Sequence, residues 1–351
     1  MPVGRARVIE SPNVDLVSVI IPTYNRAGLL LQAITSVRQQ TWPHIQIIVA
    51  DDGSTDNTPD LLAVMGDVLY VRQEHRGQGA ARNLGLRHAR GAYICTLDSD
   101  DLWKPEFVEN SLRALRTLGA DFVFSNWTEE TLGGQSRISS FEKEYGWHSF
   151  RETALNAWRL MEPDQARAIY VEACVSPSSA LFFPRHLISE GWREDLIICD
   201  DWDLLLNWVL SRPCRVAVST QPLWIKRFGG DNVSEGFGDK SVKLRACIHD
   251  SRLLFRRFSS AARRNERARL YVVIAIFQMR LCKSELQQKR FREIPGILIE
   301  STCSFIRAFS LGPTIVEKCV RELRKHIRRI GPAVNRVGRP SILSPKVEDS
   351  P

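Results

Sequence analysis

Between Val17 and Ser125, short β-branched and apolar runs alternate with segments of helical spacing. Val17–Pro22, Ile45–Ala50, Val68–Val71, Tyr93–Leu97 and Phe122–Ser125 read as buried strands. Between them, Leu30, Ala33, Ile34 and Val37 repeat at helical intervals. Asp56 or Thr58 suits the cap of a helix through Met65, and Gly79–His88 reads as another helix. Pro105 suits the first turn of a helix reaching Leu118. Strands separated by helices of about ten residues predict βαβ units, an α/β class and a mostly parallel central sheet. Ligands of such sheets bind outside the carboxyl ends of the strands. Three polar sequences fall there: Pro22-Thr23-Tyr24-Asn25, Asp51-Asp52-Gly53-Ser54 and Asp98-Ser99-Asp100-Asp101.

Each acidic turn has a chemical reading and a plain one. Alternating carboxylates at Asp98 and Asp100 can point two oxygens at one hard cation, Mg2+ or Mn2+, which shares its coordination with substrate phosphates. Such an ion offsets charge building on a departing diphosphate. The plain reading is a solvated turn that caps the next helix. At Asp51-Asp52-Gly53-Ser54, Gly53 permits a tight turn and Asp51 can accept hydrogen bonds from a base or ribose edge. The plain reading there is a turn with a helix cap at Asp56.

Val17-Ser-Val-Ile-Ile-Pro-Thr-Tyr-Asn-Arg26, Val49-Ala-Asp-Asp-Gly-Ser-Thr-Asp-Asn-Thr58, Gly79-Ala-Ala-Arg-Asn-Leu-Gly85 and Gly91-Ala-Tyr-Ile-Cys-Thr-Leu-Asp-Ser-Asp-Asp101 occur in order. Together they resemble the catalytic domain of the family 2 glycosyltransferases over roughly residues 15–235. The resemblance implies a GT-A-like nucleotide-binding fold and an inverting, hexosyltransferase-type enzyme. Its donor would be a nucleotide-diphospho-sugar, and its acceptor a glycan or lipid-linked hydroxyl. The implied donor-binding set is Pro22, Tyr24, Asn25, Asp51, Asp52, Arg82, Asp98, Ser99 and Asp100. Asp51 would sit at the base, and Asp98 and Asp100 at the metal, with Asp100 closest. Asp101 is expected to cap the following helix. The absence of a GxGxxG fingerprint after the first strand argues against a dinucleotide enzyme. A related nucleotidyltransferase and a non-catalytic nucleotide-sugar-binding module are the alternatives.

In the second half, Cys199-Asp-Asp-Trp-Asp-Leu204 resembles the family's acidic pair before a Trp-Asp-Leu helix, with Asp200 where Glu is usual. Asp201 then matches the catalytic base. Neighbouring Asp200 and apolar residues would raise its pKa toward working pH. Lys226-Arg-Phe-Gly-Gly-Asp-Asn-Val-Ser234 resembles the family domain's end and reads as a lid or as a surface loop. A helix is expected near Glu152–Leu160, a strand at Ser178–Phe183 and a helix at Asp200–Leu210.

Charge divides the chain. Residues 1–239 hold 23 Lys and Arg against 31 Asp and Glu, and residues 240–351 hold 25 against 9. The expected organisation is a leader at 1–15, a GT-A catalytic domain at 16–238, a basic helical region at 239–330 and a disordered tail at 331–351. Arg256, Arg257, Arg263, Arg264, Arg267 and Arg269, with Arg321–Arg329, fit helices on an anionic membrane surface. They equally fit a solvated appendage packed on the catalytic domain. No nucleic-acid partner is expected, since no motif of that class accompanies the charge. The scattered cysteines predict reduced, buried thiols and a cytoplasmic protein, peripheral at the inner face of the membrane if it touches one. No apolar run is expected to span a bilayer, the best candidate being Leu270–Leu281.

Overall fold

The computed structural model describes residues 16–131, 134–139, 149–228 and 239–312. Its first half is β1 (Val17–Thr23), α1 (Ala27–Arg38), β2 (Ile45–Asp51), α2 (Thr58–Ala63), β3 (Val68–Arg72), α3 (Gln78–His88) and β4 (Tyr93–Thr96). β1 pairs in parallel with both β2 and β4, and β2 with β3. Every residue of β1 is buried, which is why its sequence is mostly apolar on both faces, with Ser18 hydrogen-bonded to Gln46. Leu30, Ala33, Ile34 and Val37 form the buried face of α1. Gly85 lets α3 close onto β1, because a Cβ there would lie 2.4 Å from Ile20 Cγ2.

The second half adds β5 (Leu102–Trp103), α4 (Phe107–Leu118), β6 (Phe122–Thr131), β7 (Ser136–Ile138), β8 (Arg151–Glu152), β9 (Trp158–Met161), α5 (Pro163–Glu172), β10 (Leu181–Pro184), α6 (Asp200–Ser211) and β11 (Val216–Phe228). The sheet order is β3-β2-β1-β4-β10-β6-β11-β9-β8. β10 lies antiparallel between β4 and β6, and β11 returns parallel to β6. The predicted parallel sheet is therefore present, with antiparallel strands inserted.

Two expectations need correction. The helix expected at 152–160 is a β8–β9 hairpin on β11. Trp158 and Leu160 are buried and Arg159 between them is not, which is a period of two. At 178–183, Ser178–Ala180 form a 3-10 turn before β10 begins.

The C-terminal helices are α7 (Lys240–Phe258), α8 (Arg264–Gln287) and α9 (Ile294–Leu311). Leu254, Phe258 and Leu270 join the main core. Three arginines of these helices meet the acidic half. Arg257 pairs with Asp203 and Glu190, Arg263 with Asp164, and Arg269 with Glu172. From the sheet side, Arg167 pairs with Glu266. These helices are thus packed on the α/β unit. Residues 1–15, the 229–234 part of the lid reading, Arg321–Arg329, and the tail at 331–351 lie outside the described residues. Among the described residues, one helical stretch, Phe291–Leu311, is long and apolar enough to cross a membrane, contrary to expectation. The seven described cysteines are free; Cys95, Cys214 and Cys282 are buried, but Cys174 and Cys303 are exposed.

Candidate active site

The carboxyl ends of β1, β2 and β4 are neighbours, so the turns that follow them share one rim. The first two turns interlock. Asn25 adopts a left-handed backbone, φ 53°, which Asn tolerates better than most residues. Its Oδ1 accepts from the backbone N–H of Thr55 at 2.7 Å and its own N–H donates to Ser54 Oγ at 2.9 Å. Gly53 turns the chain at φ 88°, with His75 N only 3.0 Å from where a Cβ would stand. Asp56 holds the starts of two helices, accepting from Ala27 N–H at 3.1 Å and Thr58 N–H at 3.0 Å.

Asp51 is fully buried. It accepts from the Ser54 N–H at 2.8 Å and from the Tyr70 hydroxyl at 2.7 Å, with the Arg72 guanidinium 3.6 Å away. Asp52 faces the β3–α3 loop, accepting from Gln73 Nε2 and from the backbone N–H groups of Arg76 and Gly77. Pro22 is buried at the end of β1. Tyr24 is exposed and stacks on His75 with centroids 4.2 Å apart, an apolar plate at the mouth of the rim.

At the end of β4, oxygens of Asp98, Asp100 and Asp101 all lie within 4.8 Å of one another. Asp100 pairs with Arg26 at 2.9 Å. Burial, and then the charge of Asp98, push the Asp100 carboxyl up, while Arg26 opposes the shift. Asp101 is pushed well up, chiefly by burial and then by Asp100. Asp101 caps no helix: it accepts from Ser179 Oγ at 2.7 Å and from the Arg227 N–H at 3.2 Å, while α4 starts only after Glu106. Arg227 Nε also donates to the Asp100 carbonyl at 2.6 Å, so β11 braces this turn from below. Ser99 is buried between the two carboxylates. An all-oxygen, acidic and largely buried donor set fits a hard divalent cation.

Arg82 links this turn to the second half of the chain. Its guanidinium is completely buried, 2.9 Å from Asp98 and 3.2 Å from Asp201, and is hydrogen-bonded to Asp200. A buried arginine is tolerable only when so compensated. Burial pushes the Asp201 carboxyl up to about 7; Arg82 opposes this, and Asp200 and Asp98 add to it. Trp192 Nε1 donates to Asp201 Oδ1 at 3.2 Å, and Asn83 clamps Trp192 through both its backbone N–H and its carbonyl. The Arg82-Asn83 pair of α3 therefore fixes Asp201 twice, once by charge and once through the indole.

One further residue comes from outside the acidic half. Asp250 of α7 is fully buried, and its Oδ2 accepts from three successive N–H groups, Ile197 at 2.9 Å, Ile198 at 2.8 Å and Cys199 at 3.0 Å. That segment leads directly into Asp200 and Asp201 at the first turn of α6. Nothing local in the sequence marks Asp250, because its partners lie about fifty residues earlier. Arg26, Asn83 and Trp192 were also missed as site residues, although each sits inside or beside a segment with a recognisable pattern.

One chain of contacts thus joins Asn25, Asp51, Arg82, Asp98, Asp100 and Asp201 of the predicted residues, whereas Asp52 and Tyr24 contact the β3–α3 loop. Asp51 meets Ser54, Ser54 meets Asn25, Arg26 meets Asp100, and Arg82 joins Asp98 to Asp200 and Asp201.

Residues 18–174 match the model of glycosyl transferase family 2. A UDP-Glc:α-D-GlcNAc-diphosphoundecaprenol β-1,3-glucosyltransferase of Escherichia coli is 35% identical over 116 residues, 32% of this chain and 46% of that one. The structure of TarS from S. aureus in complex with UDP-GlcNAc superposes with a TM-score of 0.56 at 19% identity, covering 84% of this chain and 79% of that one. A mannosyltransferase from Pyrobaculum calidifontis, in complex with GDP-Man and Mn2+, gives a TM-score of 0.50 at 18% identity, covering 88% and 86%. At such identities the two structures show the fold alone. The chain spans less than half the length of the curated relatives it matches, from 18% to 46%. The four motifs and the match over residues 18–174 make this part of the chain similar to glycosyl transferase family 2, and the sheet that carries them has a GT-A-type fold.

Proposed function

We propose that the chain transfers a hexosyl group from a nucleotide-diphospho-sugar to an acceptor hydroxyl with inversion at the anomeric carbon. The observation that carries this reading is the buried Arg82, which ties the Asp98 turn to Asp200 and Asp201. Tyr24 and Asp51 would receive the nucleoside, and the Asp98–Asp100 turn the diphosphate. Asp98 and Asp100 would hold Mg2+ or Mn2+, whose chemistry when bound is to offset charge on the leaving diphosphate. Arg26 adds fixed positive charge beside Asp100.

Asp201 takes the proton of the acceptor hydroxyl as that oxygen attacks the anomeric carbon. The bond to the diphosphate breaks on the opposite side and its electron pair leaves with the diphosphate. One displacement inverts the centre, so an α-linked donor yields a β-linkage. Arg82 and Trp192 hold the carboxylate in place, and a pKa near 7 matches proton uptake at neutral pH. The Escherichia coli relative acts on a diphosphoundecaprenol-linked acceptor, which supports a lipid-linked acceptor here. Free thiols at the seven described cysteines support a reducing, cytoplasmic setting.

A screen of nucleotide sugars with Mn2+ or Mg2+, following nucleoside diphosphate release, tests the reading. No release and no ligand-induced thermal shift with any donor would reject it. Asp100→Ala should abolish the cation-dependent part of donor binding, a loss of about tenfold or more by calorimetry.

Asp250→Ala should unlatch the loop before Asp201. The three orphaned N–H groups predict a stability loss of about 1–3 kcal/mol in chemical denaturation. In the folded variant kcat should fall while donor affinity holds. A donor affinity that falls in step with kcat would show a general collapse of the site instead.

A further inference from the structure

α9 has two unlike faces. Ile297, Ser301, Ser304 and Ala308 are buried against α8, where Ser301 Oγ donates to the Ala275 carbonyl and Ser304 Oγ to Gln278 Oε1. On the outer side, Phe291, Leu298, Ile299, Ile306 and Phe309 stand between 49% and 66% exposed. Leu298, Ile299, Ile306 and Phe309 are spaced by seven, eight and three residues, which keeps them on one stripe extending about 17 Å along α9, with Phe291 in the turn just before it. The stripe carries no charged residue. Exposed cations lie close to it along the chain, Lys283, Lys289 and Arg292 around the α8–α9 turn and Arg307 further along. The acids of the same segment are already engaged, Glu293 with Arg245 and Glu300 with Arg252.

We propose that this stripe docks the protein in the plane of an anionic lipid bilayer, with the apolar side chains at the headgroup–acyl boundary and the neighbouring cations on lipid phosphates. An apolar face accompanied by Lys and Arg is the physical signature of an interfacial helix. Spanning the bilayer is disfavoured although the helix is long enough, because crossing would carry Glu300 with its Arg252 partner and the Arg264–Ser310 contact into hydrocarbon. A second copy of this chain is a poorer occupant, since a two-fold contact would set the same cations against each other. The inference deepens the reading of a lipid-linked acceptor and rests on it for its purpose, since docking would hold the site next to such an acceptor.

The test is co-sedimentation of the full chain with vesicles of phosphatidylcholine alone and of phosphatidylcholine with phosphatidylglycerol, without donor or acceptor. Binding is expected to the mixed vesicles and to weaken as salt is raised. The double variant Leu298→Ser, Ile306→Ser should bind about tenfold more weakly or less, with an unchanged melting temperature because both sites are exposed. Lys289→Glu with Arg292→Glu should remove the preference for anionic lipid. The proposal is overturned if the full chain fails to bind the mixed vesicles, or if the serine variant binds them as well as the parent. It is also overturned if the parent is a dimer that those serines convert to monomer. Donor binding measured on the same variants keeps the two readings apart: it should be unchanged whether or not docking fails.

Discussion

Asp201→Asn is expected to lower transfer by about 10²–10⁴-fold while donor affinity stays within about twofold. The amide keeps the shape of the side chain and can still accept from Trp192 Nε1, so the loop has no reason to move. It cannot take a proton. In the parent enzyme the burial that lifts the Asp201 carboxyl to about 7 should appear as an acid limb in kcat. The sign follows from the role: a base works only when ionised, so the rate falls about tenfold per pH unit below 7 and levels off above it. The residual activity of the Asn variant should lack that limb. Full transfer by Asp201→Asn, or an unchanged limb, would remove the base assignment; single-turnover transfer against pH is the measurement.

Arg82→Met should have the largest effect on the folded protein. The guanidinium compensates three carboxylates from a fully buried position. Removing one partner of such a set leaves buried charge uncompensated, which costs about 3–5 kcal/mol and lowers the melting temperature by about 10 °C. Asp200 and Asp201 are already raised with Arg82 present, and Arg82 is the main influence holding them down. Without it they rise further and protonate. For a raised carboxyl, ionisation is what destabilises the fold, so the deficit should be largest at alkaline pH and shrink as pH falls to about 7, where the parent Asp201 itself takes up its proton. Thermal unfolding across pH checks this. A deficit independent of pH would mean that Arg82 contributes packing rather than charge compensation.

The part of this arrangement that sequence patterns carry is the part built from local runs. β1, β2 and β4 are buried on both faces, so their β-branched stretches are continuous, and each ends in the acidic or polar turn that its place at the rim requires. Asp201 was legible from the Asp-Asp-Trp-Asp-Leu pattern at the start of α6. What long-range contacts decide was not legible. Asp101 sits where a helix cap would be, yet Ser179 and Arg227, 78 and 126 residues away, claim its oxygens. The β8 and β9 strands are two and four residues long and take their register from β11, so the local composition around Ala154, Leu155 and Ala157 favoured a helix that tertiary pairing overrides. The basic C-terminal region fitted either a membrane surface or an appendage packed on the α/β unit, and the choice at Arg257 and Arg269 rests on their distant partners Asp203 and Glu172. The apolar stripe of α9 was masked by Glu300, Arg307 and the serines interleaved with it.

If one nucleotide sugar spans the Asp51 turn and the Asp98–Asp100 turn, cation and nucleotide must bind with positive coupling. Titration of Mn2+, with free ion read by its paramagnetic resonance signal, in the presence of nucleoside diphosphate or of nucleoside alone, measures that coupling directly. The diphosphate of the matching base should tighten Mn2+ by about tenfold or more, and the nucleoside alone should leave it unchanged. Mn2+ affinity indifferent to the diphosphates of all the common bases would contradict the account.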